Sequence, residues 1–267
     1  MTTPTPQAVR VSVVIIAFNE ADNIVDCLKS AAWADETVVI DSGSTDATAD
    51  LCRQHGAKLV VTDWPGFGVQ KNRAIDAASG DWIFSLDADE RITPQLAQEI
   101  RSTIEAPRFE VYDVPRRSHF LGKAIAHSGW WPDRTPRLFR RGAARFSTPA
   151  VHERLEWSRP IGHLQQCMLH YGHRRISDVL AKTNAYSSAS AQELMARGKR
   201  GSVAAALSHA SWAFLRAYVL RRGFLDGAIG IVLALSIAET AFYKWLKLAE
   251  LQGRLAPGTH PTPPNPS

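Results

Sequence analysis

The sequence has only three cysteines, Cys27, Cys52 and Cys167, widely spaced and without a C-x-x-C pair. That argues against a disulfide framework or a zinc ribbon and fits a reducing compartment. Two phosphate-binding signatures are missing, G-x-G-x-x-G and G-x-x-x-x-G-K-[ST], so dinucleotide and P-loop chemistry lose their main support. A signal peptide is not expected. The start is not basic, and "VSVVII" is too short for its apolar core and runs into Asn19 and Glu20. No repeats are visible. Long uninterrupted apolar runs are also scarce. Only 12 residues separate Asp226 from Glu239, whereas a membrane span needs roughly 20, and His209 and Arg216 interrupt the other apolar stretch.

What is present is a chain of 267 residues, 45% hydrophobic, enough for one large domain or a domain with an appendage. The Pro/Thr-rich ends read as loose tails. The net charge of +5 is unevenly spread. Residues 1–105 carry 8 Lys/Arg against 16 Asp/Glu, residues 106–160 carry 11 against 5, and residues 161–267 carry 12 against 5. An acidic first third joined to a basic remainder is unlike a uniformly basic nucleic-acid binder, and no nucleic-acid partner is expected. It suits a site that handles cations and anions on different sides.

The first third alternates strand and helix. "VRVSVVIIAF" is β-branched and nearly continuous, as a strand buried on both faces reads. "ETVVID", "AKLVVT" and "DWIFSLD" are the second, third and fourth strands. Between them lie helical stretches: "EADNIVDCLKSAAW", then "SGSTDATADLCRQHG", capped by Thr45 or Asp46 and ended by Gly56, then "KNRAIDAASG" after the loop "DWPGFGVQ". This pattern predicts crossovers and a parallel sheet, with ligands beyond the strands' carboxyl ends. Polar residues gather there: Asn19 and Glu20, Asp41, and Asp87 with Asp89. From about Pro107 the pattern becomes irregular, short-stranded and rich in aromatics and arginines. From Ile176 onward it is helical.

"WIFSLDADERI" ends an apolar run in three acids. Asp87 and Asp89, two apart in a strand, point to one side and can share a hard divalent cation, Mg²⁺ or Mn²⁺, completed by substrate phosphates. Glu90 is expected to point elsewhere, pairing with Arg91 or opening the next turn. Asp41 can accept from ribose hydroxyls or a base N–H, and Glu20 likewise, although both residue types also favour helix starts. Lys71, Arg73 and Arg137 are candidate phosphate partners, with a solvated surface charge the alternative for each. His170 and His173 form an H-x-x-H that can contribute to the metal site or touch diphosphate, or simply open a helix. A structural zinc lacks two further ligands. Lys182 and Tyr186 sit one helical turn apart and can close over a donor. Trp130 and Trp131 can stack on sugar rings or pack in the core.

Together "VVIIAFNEADNIVDCLKS", "VVIDSGSTDAT", "GFGVQKNRAIDAASGDWIFSLDADE" and "RLFRR…FSTPAVHE" resemble the family 2 glycosyltransferases of the GT-A fold, in particular the lipopolysaccharide core glucosyltransferases of Gram-negative bacteria. The resemblance covers about Val9 to Lys182, and "GFLDG" (223–227) is also similar. It implies a UDP-sugar donor, a divalent metal, inversion at the anomeric carbon and a lipid-linked saccharide acceptor on the cytoplasmic face of the inner membrane. Such a transfer needs the leaving diphosphate neutralised and the acceptor hydroxyl deprotonated by a carboxylate. Glu153 in "VHERL" matches the family's His-Glu motif and is the expected base, with Asp133 in "WWPDR" second. The resemblance favours His170, with Asp87 and Asp89, at the metal.

The expected fold is therefore α/β, a GT-A sheet flanked by helices with a C-terminal helical extension. A tail (1–8) precedes a nucleotide-sugar half (9–105) and an acceptor-side half (106–175). A helical membrane-associating segment (176–254) and a second tail (255–267) follow. Apolar helices bordered by Arg197, Lys199, Arg200, Arg221, Arg222, Lys244 and Lys247 suit an anionic membrane surface. An ordinary helical subdomain or a homo-oligomer interface is the alternative.

Overall fold

The computed structural model describes residues 8–148 and 153–255. The two expected tails fall, but for residues 8 and 255, outside the described residues. The chain forms two compact units: residues up to Ala124 with Trp130–Gly172, and Ile125–Gly129 with the residues from His173 on.

The first unit begins with β1 (Val11–Ala17), α1 (Ala21–Ala31), β2 (Glu36–Asp41), α2 (Thr48–Gln54), β3 (Lys58–Val61), α3 (Phe67–Ala77) and β4 (Trp82–Asp87). Next come β5 (Glu90–Ile92), α4 (Pro94–Glu105), β6 (Val111–Phe120), β7 (Lys123–Ala124) and β8 (Asp133–Arg140). β9 (Ala144–Phe146), β10 (Leu155–Trp157), β11 (Gly162–His163) and β12 (Met168–His173) complete the strands. The main sheet runs β3-β2-β1-β4-β8-β6-β12-β5, with β7 and β11 on β6, and β9 pairs with β10 apart from it. β1 is parallel to both β2 and β4, whereas β8 meets β4 and β6 antiparallel. The sheet is thus parallel where the sequence alternates strand and helix, and mixed where that alternation stops.

β1 is central because it can be. Val11, Val13, Val14 and Ile15 are at most 2% exposed, and a fully buried side chain of this size contributes roughly 1.5–3 kcal/mol. One core layer packs Ile24, Leu28, Leu96 and Ile100 of α1 and α4 on the sheet, and the other packs Ala74 and Ile75 of α3 on the opposite face.

Several local expectations shift. α2 starts at Thr48 after Ala47. Asp46 instead ties two helix starts together, accepting from the Thr48 amide at 3.0 Å and the Ala21 amide at 3.1 Å. α3 begins at Phe67, because Gly66 at φ +113° makes the break. Gly80 comes after that helix has ended at Ala77. It lies where an added Cβ would sit 2.7 Å from the Ser12 amide and hydroxyl, and so lets the chain enter β4 beside β1.

The second unit contains α5 (Ile176–Ala196), α6 (Val203–Leu215) and α7 (Ala228–Leu251). A π-helical turn, Arg216–Leu220, prolongs α6, and a 3₁₀ turn, Gly223–Asp226, leads into α7. The apolar runs are longer than the charge spacing suggested. Val203–Leu220 and Ala228–Leu251 are each long and apolar enough to cross a membrane, α7 continuing unbroken through Glu239.

Candidate active site

The strands' carboxyl ends create two neighbouring environments in the first unit. At β1 and β2 the chain turns sharply. Asn19 adopts φ +54°, a left-handed conformation asparagine tolerates. Its side-chain oxygen accepts from the Thr45 amide at 2.9 Å, and its own amide donates to the Ser44 hydroxyl at 2.8 Å. Asp41 is 1% exposed and accepts from the Gly43 and Ser44 amides and the Ser44 hydroxyl. In this structure its oxygens shape the 42–44 turn. Glu20 accepts from Asn23 and lines a pocket of about 450 Å³ with Phe18, Ser42, Trp64 and Phe67. Trp64 and Phe67 meet edge to face, 4.7 Å between centroids. Neither aromatic was singled out in the sequence. The available signal was two aromatics within a Pro/Gly loop, where no core calls for them.

At β4 the second environment is built from charge. β4 ends at Asp87; Ala88 and Asp89 form a turn, and Glu90 opens β5. The two aspartates therefore do not lie along one strand face. Lys71 Nζ lies 3.0 Å from Asp87 Oδ1, and Arg137 Nη2 lies 2.6 Å from Asp87 Oδ2. Lys71 also reaches Glu153 Oε1 at 3.3 Å, and Arg137 reaches Glu90 Oε1 at 2.7 Å. Arg116 sits 3.4 Å from Glu90 and grips Asp133 Oδ2 through Nε and Nη2, at 2.9 and 2.6 Å. Read in order, Glu153, Lys71, Asp87, Arg137, Glu90, Arg116 and Asp133 alternate in sign. The two candidate bases are the two ends of one chain.

Glu90 is the correction with most consequence. It is wholly buried and also accepts the Asp87 amide at 3.0 Å. Arg91, expected as its partner, turns its guanidinium to backbone carbonyls of Ala88, Glu90 and Asn23. Burial alone would raise the Asp87 carboxyl. The guanidinium of Arg137 and the ammonium of Lys71, each also donating a hydrogen bond, outweigh burial and hold the group well below the usual carboxylate range. At Glu90 burial wins: the carboxyl is raised despite Arg137 and Arg116, with Asp87 and Asp89 adding repulsion.

Asp89 Oδ2 faces His170 Nε2 at 3.3 Å, and the other ring nitrogen of His170 meets the Ser118 hydroxyl at 3.0 Å. His170 lies in β12, not at a helix start, so His170 and His173, three apart, point to opposite faces of a strand. Among the described residues no group of three or more His, Cys, Asp or Glu forms a ready cation cage.

A pocket of about 350 Å³ is lined by Lys71, Asp87, Arg116, Arg137, Phe146 and Glu153, among others. Asp133 does not line it. Glu153 stands near α3 because Gly68 lets the chain in: a Cβ there would sit 1.9 Å from the Ser147 carbonyl oxygen and 3.4 Å from the Glu153 Cβ. Arg73 is held by Asp63, Thr62 and Gln70. Trp131 lies under the Arg117 guanidinium, 4.6 Å from ring centroid to cation, and Trp130 packs edge-on to Phe120. Lys182 and Tyr186 belong to α5 in the second unit, Tyr186 being 59% exposed.

A sheet of this topology, with acids and cations at the carboxyl ends of β1, β2 and β4, is the layout of a GT-A glycosyltransferase. Residues 12–161 match the model of glycosyl transferase family 2, and the chain belongs to that family. It is 29% identical to an "uncharacterized glycosyltransferase" of Rickettsia bellii over 94% of this chain and 90% of that protein. It is also 29% identical to LpsC of Rhizobium meliloti, a lipopolysaccharide core biosynthesis glycosyltransferase, over 89% of this chain and 91% of the relative. Glucosyl-3-phosphoglycerate synthase of Mycobacterium tuberculosis, solved with Mn²⁺ and UDP, is 26% identical over 42% of this chain and 44% of that one, with a TM-score of 0.35.

Proposed function

We propose that this glycosyltransferase moves a hexose, glucose from UDP-glucose, with inversion onto a lipid A–core saccharide at the cytoplasmic face of the inner membrane. The likeness to the Rhizobium meliloti enzyme along nearly the whole of both chains supports the acceptor class. A polyprenyl-phosphate-linked intermediate is the alternative acceptor. It is favoured only by the apolar helices, which suit any lipid carrier.

The observation that carries the chemistry is the Asp89–His170 pair beside the charge chain. Asp87 fits a metal poorly as it stands, since Lys71 and Arg137 each hold one of its oxygens. Asp89 and His170 fit better. The Ser118 hydroxyl engages one ring nitrogen and leaves the other facing the carboxylate, the usual arrangement around a ligating histidine. Two protein ligands are enough for Mg²⁺ or Mn²⁺, which keeps waters and takes phosphate oxygens. When bound, the cation supplies charge neutralisation of the leaving diphosphate.

The remaining work belongs to the chain. The Phe18, Trp64 and Phe67 walls suit the flat nucleobase, with Asn19, Glu20 and Asp41 fixing the turns that frame it. Arg137 and Lys71 present positive charge to the pocket. Glu153 accepts the acceptor proton. Its contact with Lys71 holds it at the pocket wall, whereas Asp133, clamped by Arg116, serves as the far anchor.

A panel of UDP-sugars incubated with lipid A–core or polyprenyl-phosphate acceptors tests the assignment. The expected product is a β-linked sugar from an α-linked donor, formed on the core acceptor only. Retention at the anomeric carbon, or transfer to the polyprenyl carrier alone, would overturn it.

A further inference from the structure

α6 with its π turn and α7 meet the length and composition of spanning helices, yet what they pack against in the second unit argues for another placement. Thr183 of α5 meets Thr240 of α7 at 3.3 Å. Further along both helices, Lys247 Nζ donates to the Asn184 carbonyl and side chain and to the Ser187 and Ser188 hydroxyls, at 2.7–2.9 Å. Positions rise together, so α5 and α7 run parallel. Their far ends meet: the Gly201 amide donates to Gln252, whose side chain donates to the Lys199 carbonyl. α6 runs back between those ends and the turn at 221–227. That turn is pinned by the Ser128 amide on the Arg221 carbonyl and by the Ala126 and His127 amides on Asp226.

The consequence is geometric. A spanning α7 would draw α5 into the hydrocarbon alongside it, with Asp178, Lys182, Asn184, Gln192 and Glu193. Charged side chains at that depth are costly. Much of the exposed apolar surface lies on α6, α7 and the turn between them, with Ile176, Leu180, Tyr186 and Met195 of α5 exposed as well. Leu207, Trp212, Leu220, Phe224, Leu225 and Leu235 are 48–60% exposed, all on α6, the turn and the start of α7. Exposed cations border that stretch at both ends: Lys199 and Arg200 at one, Arg216, Arg221 and Arg222 at the other.

We propose that α6, the 221–227 turn and the first half of α7 lie in the plane of an anionic phospholipid bilayer, at headgroup depth, and that neither helix crosses it. The exposed apolar side chains of α6, the turn and early α7 enter the acyl boundary, the arginines meet phosphates, and the charged side chains of α5 stay on the water side. This shares with the proposed function only the presence of a membrane. Binding is measured without turnover, so the two readings fail separately.

Trp212 supplies the test, since it sits near the middle of the Val203–Leu220 run. The full chain is added to vesicles of phosphatidylglycerol or of phosphatidylcholine, doped with lipids brominated near the headgroup or deep in the chain. The expected result is flotation with phosphatidylglycerol vesicles, at least tenfold weaker with phosphatidylcholine. Quenching should be strongest from the shallow bromines and lost in Trp212→Phe. An Arg216→Glu/Arg222→Glu variant should bind at least tenfold more weakly with unchanged UDP-sugar hydrolysis. Strongest quenching by deep bromines would overturn the in-plane placement in favour of a spanning hairpin. Absence of flotation would overturn it in favour of a protein partner or a second copy on this face.

Discussion

Glu153 and Asp133 show how placement divides two otherwise similar carboxylates. One points into the pocket beside Lys71; the other is held by two nitrogens of one arginine. Glu153→Gln keeps the shape and removes the basicity. It is expected to lower kcat about 10²–10⁴-fold, the usual worth of a general base, while UDP-sugar affinity by calorimetry stays within about twofold. Full activity would move the role to Asp133. Glu90 makes a different kind of contribution. Converting it to Gln leaves the buried Arg137 with one counter-charge. Because burial already disfavours the ionised Glu90, the loss read by urea unfolding is expected to fall below about 3–5 kcal/mol, the cost of breaking a fully favourable buried pair. Asp87 gives the site a pH signature. Its carboxyl is depressed in the folded chain, so its stabilisation is complete above the ordinary carboxylate value of about 4 and fades as pH falls below it. Thermal unfolding of wild type and Asp87→Asn should therefore converge as pH is lowered from about 5 to about 2. Curves that stay parallel across that range would contradict the ion-pair assignment.

At the scale of elements, the decisive feature is how closely α3 lies against the strand that leads to Glu153. Gly68→Ala places a methyl where the Ser147 carbonyl already is. Either α3 or Ser147 must shift, and a displacement near 1 Å at a reacting group can cost on the order of 10²-fold in rate. The expected outcome is a fall in kcat of about that size with a smaller change in donor KM; an unchanged kcat would detach Glu153 from catalysis. The elements themselves were legible. The second strand, "ETVVID", appears with the boundaries expected and the fourth, "DWIFSLD", one residue shorter, because parallel central strands carry a nearly continuous apolar signal. What was not legible came from pairing across the sheet. That Glu90 would be buried depends on β5 lying next to β12 and on Arg137 arriving from β8, and no local pattern announces either. Trp64 and Phe67 were overlooked for the same reason: loop aromatics are read as incidental until a pocket stands behind them.

For the whole molecule, charge asymmetry along the chain becomes charge interlacing at the site. The acidic first third supplies Asp87, Asp89 and Glu90; the basic middle supplies Arg116 and Arg137. Neither segment could bury its charges alone, so the arginine-rich strands β6 and β8 are as much part of the site as the nucleotide half. The C-terminal helices follow a separate logic of apolar exposure, α7 continuing through Glu239 and α6 with its π turn through His209 and Arg216 despite the charge spacing. The central claim is that Asp89 and His170 hold the divalent cation that donor turnover requires. Mn²⁺ titration of the full chain in the presence of UDP, followed by electron paramagnetic resonance on wild type, Asp89→Asn and His170→Ala, tests it most directly. The account predicts one Mn²⁺ per chain in the wild type and at least tenfold weaker binding in each variant, with UDP-sugar turnover lost in parallel. Equal Mn²⁺ affinity in all three proteins, or full turnover without any divalent cation, would contradict it.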